Sequence, residues 1–326
     1  MVSGTEDPPL SAPTITSSVL LLITFTFGLV VNSLYFWVLC RRMRQTVNTT
    51  WFLHLILANF FFILLIPFVA VYLIMKPQWV FGLFMCKLVN SFVSVGMYGA
   101  VFLLTMISLD RYWLVFHPHW YRIQMNPCKA SLICSALWMT SLLLSSPYLV
   151  LRQIENKNNL TICTNNYNMS REWTEQQIKW TLFSLRLIVG FIIPLVVITV
   201  CYLRIFIKMK RENLPRSTRP YKIICIAILS FFTCWTPYHM WYGMTITPDK
   251  FPKKSLESLQ VLAISFACIN SCLTPILYLF IVENFKNMFR KSVMALIELA
   301  LHDSTISANR SLEEKREQHS ISIVRD

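Results

Sequence analysis

Apolar residues run through this chain in long blocks rather than at every third or fourth position. Seven blocks meet or approach the roughly 20 residues that a helix needs to cross about 30 Å of hydrocarbon. They span 18–40, 51–75, 88–109, 131–151, 180–203, 223–246 and 258–282, each bounded by charged or loop residues. None alternates in polarity, which excludes a transmembrane β-barrel. Within the fifth block stands one ionisable residue, Arg186; the seventh carries Asn270 and Ser271. Beyond it, Phe285, Met288, Phe289, Val293, Leu296 and Ile297 interleave with Lys286, Arg290 and Lys291. That pattern predicts an amphipathic helix over 283–301 lying on the inner membrane surface. The expected architecture is an all-α membrane protein: an extracellular segment 1–17, a seven-transmembrane helix bundle over 18–282, the short amphipathic helix 283–301, and a disordered cytoplasmic tail 302–326.

Composition sharpens this picture. Of 326 residues, 55% are hydrophobic and 14% charged, whereas soluble chains carry about 25% charged residues. Lys and Arg set the orientation. With the N-terminus outside, the inner segments 41–50, 110–130, 204–222 and 283–326 hold 20 of the 30 basic residues, and the outer segments hold 9. The net charge of +14 is then topology and attraction to anionic inner-leaflet lipid, with no nucleic acid implied. No basic leader precedes the first block, so that span is expected to act as its own insertion signal.

Topology also sorts the ten cysteines. Only Cys86 and Cys163 face the oxidising side, where they are expected to pair, the alternative being two free thiols. Four sequons occur; Asn159 and Asn168 lie in the second outer loop and are expected to be glycosylated, whereas Asn48 and Asn309 fall inside.

The spans carry a connected set of motifs. Asp110-Arg111-Tyr112 ends span three, and Trp138 stands in span four. Pro194 in span five is followed eight residues later by Tyr202, and span six reads Phe231-Phe232-Thr233-Cys234-Trp235-Thr236-Pro237-Tyr238. Span seven ends Asn270-Ser271-Cys272-Leu273-Thr274-Pro275-Ile276-Leu277-Tyr278. In this order on these spans the set resembles the rhodopsin-like G-protein-coupled receptors, over about residues 18 to 300. Arg42-Met43-Arg44-Gln45-Thr46-Val47-Asn48-Thr49, Phe52-Leu53-His54-Leu55, His117-Pro118-His119-Trp120 and Cys234-Trp235-Thr236-Pro237-Tyr238-His239 are similar to the chemoattractant group: formyl-peptide, anaphylatoxin, chemerin and prostaglandin D type-2 receptors, and an orphan grouped with them.

The resemblance implies roles. Asp110 holds Arg111 until activation, when Arg111 reaches the terminal helix of a heterotrimeric G protein, Gi/o for this group. Tyr112 completes that motif, and Tyr202 and Tyr278 line the opened cavity. Trp235 is the rotamer switch, with Phe231 beside it and Pro237 giving its helix a pivot. The chemistry agrees, since a carboxylate can restrain a neighbouring guanidinium and proline breaks backbone hydrogen bonds inside a span. Serines of the polar tail are candidate phosphorylation sites for arrestin. The plasma membrane is the expected location.

Departures from the family pattern are as informative. The usual span-two Asp is Asn59, the residue before Pro275 is Thr274, and the span-three sodium positions are Gly96 and Ala100. A buried cation needs an anionic or oxygen-rich cage, so no sodium sensitivity is expected. The acid that restrains Arg111 from span six in some relatives is also absent, with Ser217 and Thr218 in that region; Asp110 alone is expected to hold Arg111.

An arginine at membrane depth costs roughly 2.5–3.5 kcal/mol on insertion scales and is tolerated facing water or an anion. Arg186 is therefore expected to anchor the acidic group of a small-molecule or peptide ligand; the alternative is snorkelling to the outer interface. Its candidate companions are Asn90, Ser94, Met97, Tyr238, His239 and Gln260. Ser94 and Gln260 replace acids that peptide-binding relatives use, which disfavours a ligand with a deep basic group. An enzyme is disfavoured, since H-E-x-x-H and G-x-S-x-G are missing and the six histidines are scattered; neither cofactor nor metal is expected. The competing reading is a same-fold scavenger or arrestin-biased receptor with weak G-protein signalling.

Overall fold

The computed structural model describes residues 12–75, 78–157, 159–167, 173–212, 219–279 and 294. Apart from Met294, the expected helix 283–301 lies outside the described residues, as do the tail, Ser217, Thr218, Asn168 and Asn309. The long helices are α1 (Ala12–Arg41), α2 (Val47–Met75), α3 (Gly82–Phe116) and α5 (Pro127–Leu151). They continue with α6 (Glu175–Leu187), α7 (Ile193–Arg211), α8 (Arg219–Met244) and α9 (Lys253–Leu279). A short helix α4 (Pro118–Gln124) joins α3 to α5. Among the described residues, α1, α2, α3, α5, the joined α6–α7 and α9 each contain a stretch long and apolar enough to cross a membrane. Helix α8 covers the sixth apolar block.

These helices outrun the apolar blocks. Helix α1 begins at Ala12 and α3 at Gly82, because adding a residue to an existing helix is far easier than nucleating one. Local signals mark some starts. The Asn126 side chain accepts from the Lys129 N–H and caps α5, and Thr174 with Gln177 forms a capping box on α6.

Helices α6 and α7 are one span interrupted by a π-helical turn, Ile188–Ile192. Pro194 has no N–H to donate back into that turn, and the Ile193 N–H reaches the Ile188 carbonyl instead. The extra residue rotates everything before it by about 100° relative to a regular helix. Gly190 in this turn lies against α3, where a Cβ would come 3.0 Å from Tyr98 and 3.2 Å from Met97.

Helix α3 packs on α2, α5 and α7, and α9 on α8, α1 and α2. Large aliphatic and aromatic side chains such as Leu132, Leu143 and Phe206 point outward and are exposed, as a surface facing hydrocarbon requires. Among the described residues, the one departure from an all-helical outline is a hairpin that the apolar pattern does not reveal: β1 (Arg152–Lys157) pairs antiparallel with β2 (Leu160–Asn165). Asn159, at its tip, takes a left-handed φ of 62°. Cys163 is disulfide-bonded to Cys86 near the start of α3. Thr161 donates to Gln78 and accepts from the Trp79 N–H, so the hairpin is pinned over one end of the bundle.

Candidate functional site

Beneath the hairpin lies a cavity of about 430 Å³ lined by α2, α3, α5, both strands, α6, α8 and α9. Arg186 is 2% exposed. Its Nη1 donates to the hydroxyls of Tyr238 (2.7 Å) and Tyr148 (3.1 Å), and Nη2 to Ser94 Oγ (2.6 Å). Its guanidinium also lies over the rings of Tyr238, Tyr148 and Tyr242, at 5.0, 5.1 and 5.6 Å. It does not snorkel. Three neutral hydroxyls and three ring faces solvate the charge; among the described residues its Nε has no partner and none that line the cavity is acidic.

A second guanidinium belongs to Arg152, the first residue of β1, which was not among the candidates. Its Nη1 is 3.5 Å from the Cys163 carbonyl, and its buried Nε has no partner among the described residues. Burial lowers its pKa from the ordinary value, though an arginine stays protonated. The charge-bearing groups of the cavity are thus two cations.

Of the sequence candidates, Asn90, Ser94, Arg186, Tyr238, Gln260 and Trp235 line this cavity. Met97 is fully buried beside Gly190. His239 is buried behind Tyr238, its ring 4.8 Å from Phe191 and neither nitrogen hydrogen-bonded among the described residues. Both lie outside the lining. Tyr148, Tyr242 and Arg152 were missed, the first two because a tyrosine at helical spacing reads as ordinary core.

Tyr238 connects the cavity to its floor. Its ring is 5.5 Å from that of Trp235, which touches Phe62 (5.2 Å) and Phe231 (5.9 Å). Phe62 fits there because Gly96 has no side chain; a Cβ would approach its ring carbons to 2.9 and 3.0 Å. Nearby, Asn59 donates to Asn32 at 3.4 Å, and Asn32 donates to the Gly28 and Ser271 carbonyls. Pro237 lies inside α8, and Tyr202 is half-buried on α7. Tyr278 belongs to α9, but its side chain lies outside the described residues.

At the other end of α3, Asp110 is 1% exposed. Its Oδ1 accepts from Trp51 Nε1 (3.0 Å) and the Tyr121 hydroxyl (2.6 Å). Burial, with Asp110 alongside, raises the Tyr121 pKa, so the phenol stays a donor at neutral pH. Arg111 Nε is 3.9 Å from Asp110 Oδ2, while Arg111 Nη2 donates to Asn48 Oδ1. This corrects the expectation that Asp110 alone restrains Arg111: a neutral amide shares the task. Tyr112 stacks on Phe116 at 4.5 Å.

A helical membrane bundle with a disulfide-pinned hairpin over a cavity, and an Asp-Arg pair at the far end of the same helix, defines a class of receptor. Residues 31–278 match the pattern of the family described as "7 transmembrane receptor (rhodopsin family)". The chain belongs to that family, and is a multi-pass membrane protein and a G-protein-coupled receptor rather than an enzyme. Within it, the chain is 39% identical to "Probable G-protein coupled receptor 33" of Rattus rattus, over 91% of this chain and 89% of that one. It is 36% identical to "Chemerin-like receptor 1" of Mus musculus, over 85% and 78% of the two chains. It is also 36% identical to "C3a anaphylatoxin chemotactic receptor" of Oncorhynchus mykiss, over 86% and 78%. These relatives make it a member of the chemoattractant-receptor-like group.

Proposed function

We propose that this chain is a plasma-membrane receptor, N-terminus outside, that binds an extracellular anionic ligand through Arg186 and activates G proteins of the Gi/o class. The observation that carries the reading is the hydroxyl cage around Arg186: a buried guanidinium inside an open cavity, with no carboxylate in the lining. A buried charge without a counter-ion is costly, and a ligand carboxylate supplies the missing partner in a charge-assisted pair. Arg152, in the lining of the same cavity, adds to the attraction.

Arg186 Nη1 already spends its donors on Tyr238 and Tyr148. An arriving acid competes for them and loosens Tyr238 from Arg186. Tyr238 leans on Trp235, and both stand on α8, which Pro237 allows to bend. Motion of α8 then opens the end of the bundle where Arg111 leaves Asn48 and Asp110 to meet the G protein. Arrestin, reading phosphorylated serines of the tail, ends the signal. The segments 283–301 and 302–326 serve as the membrane-surface helix and that tail, and glycans sit on Asn159 and Asn168.

The test is a screen of anionic lipids and of peptides with free C-termini on cells expressing the chain or Arg186→Ala. The reading expects acidic agonists to lose at least tenfold in potency on the variant, the equivalent of about 1.4 kcal/mol. Unchanged potency rejects Arg186 as the anchor.

A further inference from the structure

The walls of the cavity are chemically segregated. The side formed by α5, α6, the strands and the polar positions of α3 carries Arg186, Arg152, Ser94, Asn90 and Asn165. The side between α2 and α9 is mainly apolar, with Phe62, Leu65, Ile66, Val69, Ile264 and Ala267, and has its polar positions at Tyr72 and Gln260. Behind that wall, Leu21, Ile66, Ala70, Leu73 and Cys268 form a buried cluster against which Val69 and Ile264 pack. Apart from the weakly bonding Cys268 thiol, these side chains offer no hydrogen-bond donor or acceptor.

From this segregation we infer that the ligand is an acidic amphiphile, its carboxylate on Arg186 and its hydrocarbon tail along the α2–α9 wall. The inference rests on the anionic-ligand reading above and narrows it to lipid-type acids. A peptide brings an amide with every residue, and each amide left without a partner against that wall incurs a desolvation cost. A hydrocarbon tail incurs none and gains from burial. The lining also lacks a carboxylate for a ligand amine, so a peptide's N-terminus or a basic side chain finds no partner inside. The volume, about 430 Å³, lies within the range of small-molecule pockets rather than of folded-protein contacts.

The probes are straight-chain carboxylates from octanoate to tetradecanoate and the primary alcohols of the same lengths. Binding is read as thermal stabilisation of the purified full chain in lipid nanodiscs. Because fatty acids also partition into lipid, each probe is compared between the wild type and variants whose wall is filled, Val69→Trp and, as a milder change, Ala267→Ile. Their stability without ligand is checked first. Affinity in the wild type is expected to rise about fourfold per added methylene, to exceed that of the matching alcohol, and to lose its chain-length dependence in the filled variants. Equal chain-length dependence in wild type and filled variants overturns the tail placement. If the preference for acid over alcohol still vanishes in Arg186→Gln, the anionic-ligand reading survives that result. An acid preference that Arg186→Gln leaves intact overturns that reading instead. Failure of every carboxylate to stabilise the wild type overturns the amphiphile class.

Discussion

Removing single hydroxyls from around Arg186 tests whether the guanidinium is held as the structure has it. Ser94 Oγ is the one hydrogen-bond partner of Nη2 among the described residues, at 2.6 Å, and itself donates a hydrogen bond to the Asn90 carbonyl at 3.3 Å. Nη1 has two partners, Tyr238 at 2.7 Å and Tyr148 at 3.1 Å. A hydrogen bond to a charged group contributes about 1.5–3 kcal/mol, and leaving a buried charged donor unsatisfied costs at least as much. Ser94→Ala strips Nη2 of its partner and is expected to destabilise the unliganded receptor by about 1.5–3 kcal/mol. Tyr148→Phe leaves Nη1 its shorter bond and leaves the ring under the guanidinium, so its effect is expected below about 1 kcal/mol. Tyr238→Phe, losing the shorter bond, falls between them. Thermal unfolding of the purified variants, without ligand and in one detergent, gives the order. An effect of Ser94→Ala equal to or smaller than that of Tyr148→Phe refutes the cage and, with it, the argument for an unmet charge.

Three further outcomes follow from other parts of the fold. Exchanging sodium for an organic cation is expected to leave thermal stability and agonist affinity unchanged, because Asn59 bonds Asn32 and the room beside Gly96 is filled by Phe62; a sodium-dependent loss of affinity abolished by Asn59→Ala contradicts this. Gly96→Ala drives a methyl to 2.9 Å from the Phe62 ring and is expected to cost about 1–3 kcal/mol in thermal unfolding, eased by adding Phe62→Leu; a variant as stable as wild type refutes that packing. Cys86→Ala opens a bridge between residues 77 apart in sequence and is expected to lower stability by about 2–4 kcal/mol and to weaken any ligand held under the hairpin; a variant with wild-type stability and affinity contradicts the hairpin's part in the cavity.

Much of this molecule is legible in its sequence because membrane physics is coarse. A run of some 20 apolar residues has few stable fates other than a helix, and an arginine within such a run stands out. Arg186 was therefore visible at once, although its placement facing the cavity comes with the π-helical turn Ile188–Ile192, which periodicity does not reveal. Arg152 stands just past the fourth apolar block, where a charge gives no sign of a site; only the hairpin turns it inward. Its strand residues Gln153, Glu155 and Asn156 resemble a polar loop, and the pairing depends on the disulfide and on contacts with Gln78 and Trp79. The far end of the bundle repeats the lesson. Asp110 and Arg111 announce themselves as a motif, but Trp51 and Asn48, about 60 residues away, reach them only through the packing of α2 against α3. Asn48 stands in the sequence as part of a sequon and of the family-like segment 42–49, neither of which pairs it with Arg111.

The central claim, that this bundle converts a cavity event into Gi/o activation through Arg111, is tested most directly by cyclic-AMP inhibition without added ligand. Cells expressing the chain or Arg111→Ala at equal surface density are compared, with and without pertussis toxin. The account predicts inhibition that the toxin abolishes and that Arg111→Ala lacks, since neither a sodium ion nor a span-six acid holds the receptor off. Wild type and Arg111→Ala giving the same toxin-insensitive response contradicts it and favours a receptor that captures ligand without G-protein signalling.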